Sequence, residues 1–241
     1  TIAQVWNIQV INNTLLCASN SGVLIIKNNR VVKTIDDKGY FGFKPIPNHD
    51  NYVIGESYNG FSVFKFSQNG IEFVNEVKGF DETINTFEVE LDENYLWLKK
   101  DPYLYQMTLS NDLKKFESIK KYTQVNQLYK GIGSVQKIQN KVYFQTQNHF
   151  YKYSKEIEGF FEDKKMTALF SKIPLINTLI QDSYGNLWFA FNESLGVLKK
   201  DKNGSYVQKE EPFTNLTGNL VNNYISVYTI DPSNIFVGLT D

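Results

Sequence analysis

The sequence predicts an all-β fold: a β-propeller of four-stranded antiparallel blades, five of them followed by a partial sixth. Three observations carry that expectation. A unit of apolar strand, polar turn and second strand recurs six times, with a bulky residue near the start of the second strand at Leu16, Val53, Trp97, Tyr143, Trp188 and Phe236. The intervals between these residues are 37, 44, 46, 45 and 48, and a strand-only period of about 40–50 residues is that of propeller blades. The units are joined by Asn-, Asp- and Gly-containing turns, and no long helical pattern interrupts them.

The elements follow in order. In the first unit, runs 5–10, 14–19, 23–27 and 30–35 are separated by Asn12-Asn13, Asn20-Ser21-Gly22 and Asn28-Asn29. Asparagine pairs tolerate the positive φ that two-residue hairpins need. The second unit has runs 43–46, 52–56, 61–66 and 71–77, and the third has 84–89, 95–99, 104–108 and 115–120. The fourth has 135–138, 142–146, 150–153 and a longer stretch. The fifth has 178–181, 187–191, 197–200 and 205–209. The sixth has only 224–230 and 235–239 before the sequence ends, so the chain reads as a fragment of a larger propeller. Blade boundaries fall at about 1–38, 39–80, 81–121, 122–172, 173–212 and 213–241. Residues 156–172 are expected to form an outer strand and a connection, with a short helical turn as the alternative.

Composition narrows the function classes. Lys+Arg total 25 against 26 Asp+Glu, a formal charge of -1, so no global basic field exists to hold nucleic acid or an anionic membrane. No apolar run reaches the ~18–20 residues that span a bilayer as a helix. The start, Thr1-Ile2-Ala3-Gln4-Val5-Trp6, reads as strand and not as a signal peptide, so any leader lies outside this sequence. The single cysteine, Cys17, lies in an apolar strand and reads as a small buried hydrophobe.

The fifth unit carries the clearest motif: Asp182, Gly185-Asn186-Leu187-Trp188-Phe189-Ala190, then Leu195-Gly196-Val197. It resembles the regulator-propeller repeat of periplasmic sensor regions in Bacteroidetes two-component regulators. Leu96-Trp97-Leu98, Tyr52-Val53-Ile54-Gly55, Phe236-Val237-Gly238 and the starts Ile84-Asn85-Thr86 and Ile176-Asn177-Thr178 keep parts of it; Lys99 and Gln145 replace its small residue in the third and fourth units. The resemblance implies a periplasmic ectodomain of an inner-membrane sensor, homodimeric when intact. Any histidine kinase or transcriptional output would lie in domains absent here. It makes carbohydrate, or a carbohydrate breakdown product, the default ligand. Physically, Asp and Gly shape the turn, and Trp97 and Trp188 read as core rather than as ligand platforms.

Candidate chemistry is sparse. The two histidines, His49 and His149, lie in different units, with no metal-ligand spacing, and no Gly-x-Ser-x-Gly elbow occurs. No cofactor, metal or catalytic residue is expected. The acid pairs Asp36-Asp37, Asp81-Glu82, Glu88/Glu90, Asp92-Glu93, Glu162-Asp163 and Glu210-Glu211 read as solvated turns or outer strands. Lys114-Lys115 and Lys120-Lys121 read as edge protection. The loops between second and third strands share a face with the blade-to-blade connections. They place Tyr58, Asn59, Tyr103, His149, Asn192 and Glu193 on one expected rim, where amides and aromatic faces suit an oligosaccharide or another small molecule. The leading reading is a non-catalytic sensor. A propeller glycosidase or lyase, and a protein-interaction scaffold, are the alternatives.

Overall fold

The computed structural model describes residues 4–68, 70–84, 89–122, 133–173, 175–176, 178–191 and 194–208, and the strands 225–231 and 234–239. The fold is all-β, of the propeller class. Among the described residues it has five four-stranded antiparallel sheets and one two-stranded sheet. The chain divides into two compact units, Thr1–Asn126 and Gln127–Asp241.

The first unit holds three blades. They are β1 Val5–Ile11, β2 Thr14–Ser19, β3 Gly22–Lys27 and β4 Arg30–Thr34; β5 Tyr40–Pro45, β6 Tyr52–Ser57, β7 Gly60–Ser67 and β8 Gly70–Val77; and β9 Val89–Leu91, β10 Leu96–Lys100, β11 Tyr103–Leu109 and β12 Phe116–Tyr122. Each sheet runs in sequence order as a simple meander. The second unit contains β13 Ser134–Ile138, β14 Lys141–Thr146, β15 His149–Ser154 and β16 Gly159–Glu162, then helix α1 Lys164–Leu169. β17 Thr178–Gln181, β18 Leu187–Phe191, β19 Ser194–Lys200 and β20 Tyr206–Gln208 follow. β21 Ile225–Asp231 and β22 Asn234–Leu239 pair antiparallel.

The turn chemistry explains the meanders. Asn12, Asn13, Asn28 and Asn29 all adopt positive φ, between 47° and 59°, as the tight hairpins between β1 and β2 and between β3 and β4 require. Gly185, at φ +83°, closes the turn before β18. Asp182 holds that turn by accepting from the backbone N–H of Tyr184 and Asn186, each at 2.9 Å.

Alternation along the strands builds the core between blades. Leu16, Val23, Phe43, Val53 and Phe64 pack the first blade on the second. Ile54, Phe61, Val63, Val89, Leu98 and Met107 pack the second on the third. In the second unit, Tyr143, Phe150, Phe170, Leu187 and Phe189 form the corresponding cluster. A backbone tie reinforces the second contact of the first unit. Lys78 donates to Lys114 O and accepts from Phe116 N, both at 2.9 Å.

The expected burial of the tryptophans holds, with Trp97 0% and Trp188 1% exposed, and Cys17 is buried at 2%. The small residue of the motif makes room inside its own blade. A Cβ on Gly55 would come within 2.9–3.1 Å of the Phe43 and Tyr40 rings. Those rings lie on β5 of the same sheet, so the gap admits side chains of the blade itself rather than a closer neighbouring sheet. Residues 156–172 combine both expected alternatives: outer strand β16 leads into α1, capped by Asp163 accepting from Met166 N at 3.1 Å. The helix forms because Met166 and the neighbouring Phe170 bury an apolar edge against Phe150. The first strand of the third blade is described from Val89, later than expected, because residues 85–88 lie outside the described residues.

Candidate functional site on the loop face of the first unit

Strand alternation puts the start of β1, the β2–β3 turn, the start of β5, the β6–β7 turn and the β10–β11 turn at one end of the first three blades. The polar turn residues of the sequence therefore meet aromatic strand starts. Trp6 opens β1, Asn20 sits in the β2–β3 turn, and Phe41 lies at the start of β5. The Tyr58 hydroxyl donates to Asn20 Oδ1 at 2.7 Å, and the Trp6 indole N–H donates to the same oxygen. Phe41 lies between the two rings, with centroids 4.6 Å from Tyr58 and 5.5 Å from Trp6. The backbone carbonyl of Tyr58 accepts from Ile84 N at 2.8 Å, which fixes the turn against the next connection. Trp6 and Tyr58 are half-buried and Asn59 is exposed.

Beside this cluster opens a cleft of about 540 Å³. Its polar wall carries Lys38, Asn59, Glu76, Lys78 and Asp81; Phe61, Val77 and Phe80 give it an apolar lining. Lys38 and Glu76 form an ion pair at it. A half-apolar cleft with a few converging polar groups is the usual form of a small-molecule site.

Tyr103 belongs to the same end of the unit, packed against the same core as Tyr58, but its face is already occupied. Lys121 Nζ stands 3.7 Å from the Tyr103 ring centroid. Glu82 accepts from Lys100 Nζ at 2.8 Å and from the Tyr105 hydroxyl at 2.7 Å, and Lys121 lies 3.5 Å away. The bonds from Lys100 and Tyr105 pull the Glu82 carboxyl down to about 2.

The other sequence candidates lie in the second unit. His149 is exposed at the start of β15, with Nδ1 2.8 Å from Glu162 Oε1, a contact that lowers the Glu162 carboxyl. Asn192 and Glu193 lie outside the described residues. The structure thus brings Tyr58, Asn59 and Tyr103 together on one unit.

Several acids expected as solvated turns hold structure instead. Asp36 accepts from the buried Tyr40 hydroxyl at 2.6 Å, and Asp92 from the Trp97 indole at 2.9 Å. Asp163 accepts from Lys152 Nζ and caps α1. Glu90 pairs with Lys44 at 2.8 Å across β5 and β9. Glu210 and Glu211 lie outside the described residues. Lys121, expected as edge protection, contributes to the loop-face cluster.

One buried acid has no counterpart among the sequence candidates. Glu56 on β6 is 2% exposed, and its Oε2 has no hydrogen-bond partner. It lies opposite Gly42 on β5, where an added Cβ would stand 3.2 Å from Glu56 Oε1 and 3.4 Å from Asn7 Nδ2. Burial pushes its carboxyl up to about 8; Lys44 pulls it down and Glu90 adds to the rise. The available signal was a glutamate at an inward position of the otherwise apolar strand Tyr52-Val53-Ile54-Gly55. Among the described residues, no group of three or more His, Cys, Asp or Glu is placed to hold a metal ion, and no helix is long and apolar enough to cross a membrane.

No protein-family model matches the chain, and no curated protein matches it. Solved structures do. The extracellular domain of a putative one component system from B. thetaiotaomicron superposes with a TM-score of 0.58 at 15% identity, covering 98% of this chain and 32% of that one. A streptogramin B lyase matches with a TM-score of 0.53 at 12% identity, over 98% of this chain and 76% of the lyase. A virginiamycin B lyase from Staphylococcus aureus reaches 0.50 at 11% identity, over 89% and 72%. The chain therefore spans about a third of the length of the extracellular domain it matches. At these identities the likeness establishes the fold alone.

Proposed function

We propose that this chain is a ligand-sensing propeller segment of a two-component-type regulator, facing the extracytoplasmic side. Its ligand binds on the loop face of the first unit and is released unchanged. The carrying observation is the junction of Trp6, Asn20, Phe41 and Tyr58 beside a cleft of about 540 Å³. Aromatic faces, an amide and a hydroxyl at one rim are the groups that recognise a sugar ring, so a carbohydrate or its breakdown product is the ligand class. The fold likeness to an extracellular sensor domain supports the same reading. Transmission would require ligand affinity to differ between two arrangements of the intact receptor, and a homodimer would supply them.

The test is a thermal-shift screen of the chain against neutral and acidic oligosaccharides, with chromatography of each mixture. A rise in midpoint with intact ligand, lost in Tyr58→Ala, supports the reading. Turnover of the ligand, or a rise that Tyr58→Ala leaves intact, contradicts it.

A lyase is the second reading. One observation favours it beyond the fold: His149 is exposed and paired with Glu162 at 2.8 Å, an imidazole oriented by a carboxylate as acid–base catalysis requires. A catalytically inactive histidine-to-alanine variant is known for the virginiamycin B lyase that shares the fold. Incubation of the chain with quinupristin, followed by mass spectrometry and chromatography, decides it: a converted product absent with His149→Ala supports the lyase, and unchanged quinupristin contradicts it.

A further inference from the structure

The contact between the second and third blades contains an ionic arrangement that the loop face does not use. Glu56 is buried on the face of β6 that also carries Ile54, a member of the apolar cluster between these blades, and pairs in register with Phe61 of β7. A carboxylate there is out of water, and one of its oxygens has no donor. Gly42, opposite it, leaves the space that the carboxyl fills. Lys44, two residues along β5, reaches across to Glu90 on β9 and ties the two blades at 2.8 Å. Among the described residues, Lys44 and Glu90 are the charged groups whose fields act on Glu56. Asn7 and the half-buried Gln9 from β1 complete the surroundings without charge, Gln9 being held by Phe43 N at 2.9 Å.

We propose that Glu56 is a proton-responsive latch between the second and third blades: it keeps its proton while the blades are closed, and its ionisation draws Lys44 away from Glu90. One ammonium cannot neutralise two carboxylates in a low-dielectric contact, so the protonated acid is the form compatible with an intact Lys44–Glu90 tie. Burial, the largest influence, favours that form up to about pH 8. Loss of the proton leaves either an unpaired buried carboxylate at Glu56 or one at Glu90, and both weaken the contact. The latch is set for mildly alkaline conditions and is independent of the loop-face ligand.

The experiment is a pH titration of the full chain carrying ¹³C-carboxyl glutamate, followed by NMR from pH 4 to 10. One carboxyl carbon is expected to titrate near pH 8. Its midpoint should move up in Lys44→Met, which removes the attracting cation, and down in Glu90→Gln, which removes the repelling anion. The high-pH signal should vanish in Glu56→Gln. Amide exchange at Val89–Leu91 should accelerate above pH 8.5 beyond its intrinsic rise in wild type, but not in Glu56→Gln. If every glutamate titrates below about pH 6, or if neither Lys44→Met nor Glu90→Gln shifts the high midpoint, the latch is overturned. The wild-type titration stands even if one variant fails to fold.

Discussion

Tyr58 and Asn20 join two blades: the phenol of the β6–β7 turn donates to the amide oxygen of the β2–β3 turn at 2.7 Å. Asn20 Oδ1 also receives the Trp6 indole, so one amide oxygen orients two rings. Tyr58 cannot turn without breaking a bond to the neighbouring blade, and Trp6 cannot turn without breaking one within its own blade. The arrangement resembles a binding rim that is ordered before ligand arrives, which reduces the entropy cost of binding.

Tyr58→Phe removes that bond and keeps the ring. The partly exposed hydrogen bond is worth about 0.5–1.5 kcal/mol at most, so the thermal midpoint should fall by only a few degrees. Ligand affinity should fall more than stability does. Equal loss of both, measured by calorimetry and thermal unfolding, would mark Tyr58 as a packing residue only.

The indoles should behave as core. Trp188 is 1% exposed, and its N–H donates to Asp182 Oδ2 at 2.9 Å. Trp188→Ala should cost roughly 3–5 kcal/mol, as large aromatic truncations do. Asp182→Ala should cost about 1–3 kcal/mol by leaving the buried indole N–H without its acceptor. Urea unfolding measures both, and a loss below about 0.5 kcal/mol for Trp188→Ala would contradict the assigned burial.

The fold was legible in the sequence because its signals are local. Paired asparagines, the Asp-Gly turn at Asp182 and the strand alternation need no distant partner to be read. The Asp-to-Trp bonds were half legible: the turn role of Asp182 follows from spacing, but its second oxygen meets Trp188 only after the hairpin folds. Asp92 repeats the arrangement with Trp97. The candidate rim was legible for Tyr58 and Asn59, since turn residues between the second and third strands must lie at one end. Asn20 was missed because its bond to Tyr58 crosses blades, and Trp6 because its bond to Asn20 joins residues 14 apart that meet only once the first blade has folded. Tyr103 was placed at the correct end, but its cover by Lys121 comes from β12, and no local pattern reports which strand end a lysine will fold over. Glu56 was missed because an acid in an apolar strand looks like a register slip until Gly42 is seen opposite it.

The Glu82 cluster gives an acid-side prediction. Its carboxyl is held at about 2 by Lys100 and Tyr105, below the ordinary glutamate value. The folded-state pKa is depressed, so its stabilisation is present above about pH 4.5 and is lost as pH falls toward 2. The side chain is 41% exposed, so the effect is small and weakens in salt. Glu82→Gln should flatten the low-pH limb of the stability profile and free the Tyr103 ring from its ordered cation. A profile unchanged from wild type between pH 2 and 5 would show that the cluster is not formed in solution.

Gly55 tests the packing. A methyl there would meet the Phe43 ring at 2.9 Å, so Gly55→Ala should destabilise by about 1–3 kcal/mol through overpacking. Phe43→Leu in the same chain should recover part of that loss. Thermal unfolding of the two single variants and the double variant checks the coupling, and simple additivity would contradict it.

The claim that ligand is recognised at the loop face is tested most directly by amide chemical-shift mapping of the isotope-labelled chain during titration with a ligand found by thermal shift. The account predicts shifts concentrated at Trp6, Asn20, Tyr58, Asn59 and Ile84, together with the Trp6 indole N–H. Shifts centred instead on the opposite turns, Asn12-Asn13, Asn28-Asn29 and the 48–51 turn, with Tyr58 and Asn59 unmoved, would contradict it.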